Sequence, residues 1–149
     1  MEKGFNIIGI SIKTTNQNGQ AKQDLEKLWK QFFSENIISK IPNKLSNDIF
    51  SIYTDYKSDF TEEYLAIIGI QVTDLKNIPD GLIGRYFKPE TFKKYIAKGE
   101  IPNSVANTWT EIWKNDHHLN RKYTYDFELY SEKSNNGINS EVEIYIAIS

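Results

Sequence analysis

Two stretches of the chain carry the same apolar spacing. Leu25, Leu28, Trp29, Phe32 and Phe33 fall at i, i+3, i+4, i+7 and i+8, and Val105, Thr108, Trp109, Ile112 and Trp113 repeat those offsets eighty residues on. Such spacing puts one stripe along an α-helix, so each stretch predicts a helix that buries one face. Each is followed by two runs in which apolar and aromatic residues alternate with polar ones, at 49–56 and 64–72 after the first and at 123–130 and 142–148 after the second. Period-two alternation predicts strands. The chain reads as one supersecondary unit written twice, and a duplicated unit makes its seam a natural place for a ligand cleft.

The remaining elements fill in around this repeat. Residues 5–13 are apolar and β-branched, broken by Gly9, and predict a first strand; helix one covers 21–34, and a loop around Ile41-Pro42-Asn43 leads to the first hairpin, joined by the polar connection 57–62. Pro79-Asp80-Gly81 marks the turn between halves. An additional strand at 82–87 is turned by Lys88-Pro89-Glu90 into 91–97, and Gly99 and Pro102 break the chain before helix two. Asn103 or Ser104 is the expected cap of that helix, which ends near Asn115. The last hairpin turns in the loop 131–140, at Asn135-Asn136-Gly137. The layout is βαββ twice, which predicts an α+β fold with helices on one face of an antiparallel sheet. The chain is expected to be one domain, 1–149, of half-repeats at about 1–78 and 79–149.

Composition narrows the chemistry. With no cysteine, disulfides, thiolate catalysis and cysteine-bound zinc are excluded. A net charge of −2, with both signs interspersed, offers no basic field for a polyanion, so direct nucleic-acid binding is not expected. Met1-Glu2-Lys3-Gly4 leads straight into a strand-like run, and no segment is apolar enough for a signal peptide or a membrane span, which makes a cytoplasmic protein the expectation. Nine Tyr, eight Phe and three Trp make up 13% of the chain, an excess that fits either half-buried strands or an aromatic-lined pocket.

The run Tyr123-Thr124-Tyr125-Asp126-Phe127-Glu128-Leu129-Tyr130 carries the sharpest site signal. Alternation puts Tyr123, Tyr125, Phe127 and Leu129 on one face and Thr124, Asp126, Glu128 and Tyr130 on the other. Either that second face is solvated, or Glu128 is a buried anion at the seam. In the second case desolvation disfavours its charge until a cation or donor arrives, and surrounding rings add cation–π attraction. Arg121 is placed to clamp Asp126. Trp109 and Trp113, one turn apart on helix two, are core residues or ligand contacts, and Trp29 occupies the matching place in helix one. His117 and His118 are adjacent and point to different sides, and nothing around them offers a metal-binding face. No glycine-flanked nucleophile and no phosphate-cradling glycine pattern is present.

Taken together, residues 5–10, Leu28-Trp29, Ile52-Tyr53-Thr54-Asp55-Tyr56, 64–69, Pro79-Asp80-Gly81, 109–113, Arg121 with Asp126-Phe127-Glu128-Leu129-Tyr130, and Glu143-Ile144-Tyr145-Ile146 resemble the GyrI-like family over essentially the whole chain. That family includes the effector-binding domains of AraC- and MerR-type transcription regulators and free-standing, integron-associated relatives. The resemblance implies two βαββ modules in a curved sheet around a central cleft for hydrophobic, often cationic, drug-like molecules, with no cofactor or metal. It implies that Glu128 neutralises the ligand and that Tyr53, Trp113, Tyr130 and Tyr145, with Trp109, surround it. It leaves two further functions open. Some relatives resemble hydrolases of strained electrophiles, for which Glu128 is the candidate general base and Tyr53 or Tyr145 the acid. The other is an interaction module that inhibits a protein such as a topoisomerase. These 149 residues depart from the regulators in showing no helix-turn-helix pattern, so direct transcriptional control by them alone is not expected.

Overall fold

The computed structural model describes residues 3–149. In chain order the elements are β1 (Phe5–Thr15), α1 (Gln20–Ser34), a short α2 (Ile37–Lys40), β2 (Lys44–Thr54), β3 (Glu63–Val72), β4 (Ile83–Phe87), β5 (Phe92–Lys98), α3 (Asn103–Lys114), β6 (Arg121–Tyr130) and β7 (Glu141–Ile148). All strands join one sheet in the order β4-β1-β3-β2-β6-β7-β5, and every pairing is antiparallel. The order is symmetric about its centre: β1-β3-β2 on one side is mirrored by β6-β7-β5 on the other, with β2 and β6 paired at the seam. The additional strand, β4, falls outside this symmetry and extends the edge beside β1.

Connectivity forces the sheet to curl. Seven flat strands would hold their outer members about 29 Å apart. Here the outer members are β4 and β5, and residues 88–91 alone join them, a reach of at most about 18 Å. Curling closes one face on itself, where Phe87 of β4 and Phe92 of β5 both pack on Tyr125 of β6, at 4.9 and 5.5 Å between ring centroids. Phe5, Phe50 and Phe127 complete this aromatic core. Gly9 does not interrupt β1 but pairs with Gly69, and a Cβ on Gly9 would lie 2.0 Å from the Ile68 carbonyl oxygen, so only glycine permits this approach of β1 to β3.

The helices cover the other face. Leu28 and Phe32 of α1 pack on Ile8, Ile10, Ile68 and Ile70, while Val105, Trp109 and Ile112 of α3 pack on Val142, Ile144 and Ile146. The expected cap on α3 is not made. Pro102 holds the cap position without a side-chain hydrogen bond, and the Ser104 backbone N–H is instead taken by the Glu100 carbonyl at 2.9 Å. Tyr123 departs from the predicted alternation: φ of 57° there, within a register irregularity of β6, turns its ring onto Tyr56 at 5.1 Å instead of leaving it beside Tyr125. Among the described residues no helix is long and apolar enough to cross a membrane.

Candidate functional site

The seam strands form the floor of a cleft of about 680 Å³ between α1 and α3. Ser51 of β2 and Glu128 of β6 are directly opposite in the register. Two residues past each, on the same face, stand Tyr53 and Tyr130, and both hydroxyls turn to the one carboxylate. Tyr53 donates to Glu128 Oε2 at 2.8 Å and Tyr130 to Oε1 at 2.6 Å. A third donor comes from α3, where Trp109 Nε1 lies 2.7 Å from Oε2. The two halves therefore converge on a single acid, because the position facing Glu128 is a serine, whose hydroxyl lies 3.2 Å from that of Tyr53.

Glu128 is 3% exposed, and none of its three partners carries a positive charge. Burial raises its pKa above the ordinary carboxylate value, and the bonds from Tyr130, Trp109 and Tyr53 only partly offset this. Burial and then the Glu128 charge push the Tyr53 hydroxyl well above its ordinary value, and Tyr130 follows for the same reasons. Both phenols are thus held as donors, and the arrangement is a desolvated carboxylate with neutral support.

Aromatic rings surround it. Trp29 of α1 meets Tyr130 edge to face at 5.0 Å, and Trp109 of α3 meets Tyr53 in the same way at 5.6 Å. Each helix thus sets its matching tryptophan against the matching tyrosine of the opposite half. Trp113 lines the cleft farther along α3, stacked on Phe60 at 5.6 Å and 7°. All three tryptophans of the chain line this cleft. Tyr56, Phe60 and Tyr64 also line it, and the sequence reading did not single them out. Tyr64 was within reach of pattern reasoning, since β3 alternation places it on the face of Ala66, the partner of Tyr53. Phe60 sits in an irregular connection with no periodicity to place it.

Tyr145 is a correction. In the β6–β7 register Glu128 pairs with Ile144 and Phe127 with Tyr145, so alternation sends Tyr145 through the sheet to the curled face. There its ring stacks on Phe127 at 4.7 Å and its hydroxyl donates to Glu143 at 2.5 Å. It cannot touch a ligand in the cleft or serve Glu128 as an acid.

Arg121 and Asp126 do pair, and the pair is buried. Arg121 Nη2 is 2.8 Å from Asp126 Oδ2, with side chains 1% and 0% exposed. Asp126 also accepts from Tyr56 at 2.5 Å and from the Ala147 backbone N–H at 2.9 Å, and Arg121 reaches Asp116 at 3.0 Å. Burial is the largest single influence and opposes charge on the guanidinium, but Asp126, Tyr56 and Tyr123 together outweigh it and hold the Arg121 pKa above its ordinary value. This network anchors β6 beside the cleft. His117 and His118 lie in a single 3₁₀ turn after α3, and among the described residues no group of His, Asp and Glu could hold a metal.

Comparison with known proteins places this geometry among relatives. The family model described as Cass2, integron-associated effector binding protein, matches residues 1–148. An integron cassette protein from the mobile metagenome of Vibrio cholerae is similar in structure, with a TM-score of 0.75 and 28% identity over 99% of this chain and 92% of that one. The structure of SAV2435 bound to tetraphenylphosphonium superposes with a TM-score of 0.82 at 18% identity, covering 99% of this chain and 90% of that one. In sequence, a Bacillus subtilis protein, YobU, described as a candidate transcriptional regulator, is 24% identical over 94% of this chain and 89% of its own length.

Proposed function

Since the chain belongs to the Cass2 family of integron-associated effector binding proteins, we propose that its effector is a hydrophobic, cationic small molecule held in the cleft over Glu128. One observation carries the reading: a buried carboxylate with three neutral donors and, among the described residues, no salt-bridge partner. Keeping such a charge dry is costly, and a cation brought into the cleft offsets that cost through the low-dielectric interior. Ring faces from Trp29, Trp109 and Trp113 add cation–π attraction of about 0.5–2 kcal/mol each where a ring faces the charge. The bound tetraphenylphosphonium of SAV2435, a lipophilic cation in a protein of the same fold, supports the same chemistry. In this reading the chain is one domain whose half-repeats, about 1–78 and 79–149, meet at the cleft floor.

Binding is read from the protein's own tryptophans, all of which line the cleft. Methyltriphenylphosphonium is expected to quench their emission saturably and to be recovered unchanged, while triphenylphosphine oxide, nearly the same shape but neutral, binds more weakly. Equal binding of the two would remove the role of charge. Conversion of the cation to product would make the protein an enzyme.

A further inference from the structure

A second, larger cavity of about 1030 Å³ opens beside the cleft, and the two share Trp29, Pro102 and Tyr130 in their linings. Near those shared residues its wall is apolar, with Phe33, Ile49 and Ile101; its polar lining carries Asp48 and Glu132 against Lys133, with Glu143 entering from the curled face of the sheet. Phe33 is 62% exposed and Ile101 37%, so both present apolar surface to this cavity, and the Trp29 ring stacks on Phe33 at 5.9 Å. Glu143 is engaged by Lys94 at 3.6 Å, whereas neither Asp48 nor Glu132 forms a salt bridge among the described residues. The cavity's polar lining is therefore net negative, and Trp29, Pro102 and Tyr130 form the boundary it shares with the cleft that holds Glu128.

We propose that this cavity is a second subsite continuous with the cleft, and that the protein takes elongated dications: one charge over Glu128, an apolar spacer passing Tyr130 between Trp29 and Pro102, and a second charge facing Asp48 and Glu132. The proposal rests on the cleft reading for its first charge. Length and charge complementarity select the ligand. A single compact cation fills the cleft and leaves the second cavity to solvent, whereas a long monocation buries its tail along Phe33 and Ile101 but leaves the carboxylates unanswered. A dication of matching length satisfies both ends at once, and its second contact is intramolecular.

The test is a calorimetric series of bis(trimethylammonium)alkanes of increasing spacer length, each compared with the alkyltrimethylammonium of the same chain ending in a hydroxyl. The dication is expected to bind about three- to tenfold tighter than its monocation once the spacer spans that boundary, with no advantage at short lengths. In the double variant Asp48→Asn with Glu132→Gln, both positions lying outside the buried core, the advantage is expected to vanish while monocation affinity stays unchanged. Equal affinity of dication and monocation at every length, or an advantage that survives in the double variant, would overturn the second subsite. Failure of the cleft reading shows separately, as monocation binding indifferent to Glu128→Gln.

Discussion

Trp109 donates its indole N–H to the buried carboxylate of Glu128 at 2.7 Å, tying the helix of the second half to the floor of the cleft. Trp109→Phe keeps most of the ring and deletes this donor. A charge-assisted bond of this kind contributes about 1.5–3 kcal/mol, so the variant is expected to unfold at lower urea concentration and to titrate Glu128 at a higher pH than the parent. Urea melts, with carbon-detected NMR of the glutamate carboxyl, read both.

Removing a hydroxyl from Tyr53 and from Tyr145 separates the two faces of the sheet. Tyr53→Phe strips one bond from Glu128 and is expected to alter cation binding; Tyr145→Phe, behind the sheet against Glu143, is expected to leave it unchanged. Parallel fluorescence titrations of the two variants make the comparison, and a loss in Tyr145→Phe equal to that in Tyr53→Phe would contradict the register described above.

Arg121 and Asp126 supply the test of stability. Arg121→Ala leaves Asp126 buried beside Tyr56 and the Ala147 N–H without its counter-charge, a loss of about 3–5 kcal/mol. The exposed pair of Arg85 and Asp55, by contrast, is worth at most about 1 kcal/mol, so Arg85→Ala serves as the comparison in the same chemical denaturation experiment.

Acid acts on the cleft in two opposite directions. The pKa of Glu128 is raised by burial, so the folded protein holds that proton at a pH where an unfolded glutamate, at about 4.3, has released it. The contribution of Glu128 to stability is therefore present below the unfolded value and lost as pH rises through the folded one. Against Glu128→Gln, the free protein is expected to lose relative stability from about pH 4 upward, and cation affinity is expected to grow over the same window. Denaturation and binding profiles that run in parallel with pH would contradict this coupling.

Much of this was legible in the pattern of residues. The helix stripes at Trp29 and Trp109 and the four alternating runs locate the central elements, and parity on β6 separates Glu128 and Tyr130 from Phe127 and Leu129. The same parity carried across one pairing excludes Tyr145, but that step needs the β6–β7 register, which a single chain does not display. Tyr123 escaped because a left-handed residue inside a strand breaks alternation without a glycine to announce it. The curl of the sheet was latent in the four-residue link between 87 and 92, whose significance depends on knowing that β4 and β5 are opposite edges.

The central claim, that the charge of Glu128 selects the ligand, is tested most directly by isothermal calorimetry of Glu128→Gln and the parent with methyltriphenylphosphonium and triphenylphosphine oxide at neutral pH. The substitution is expected to cost about 1.5–3 kcal/mol for the cation and much less for the neutral oxide. Equal losses for both ligands would contradict the claim and assign Glu128 to the support of the cleft rather than to recognition.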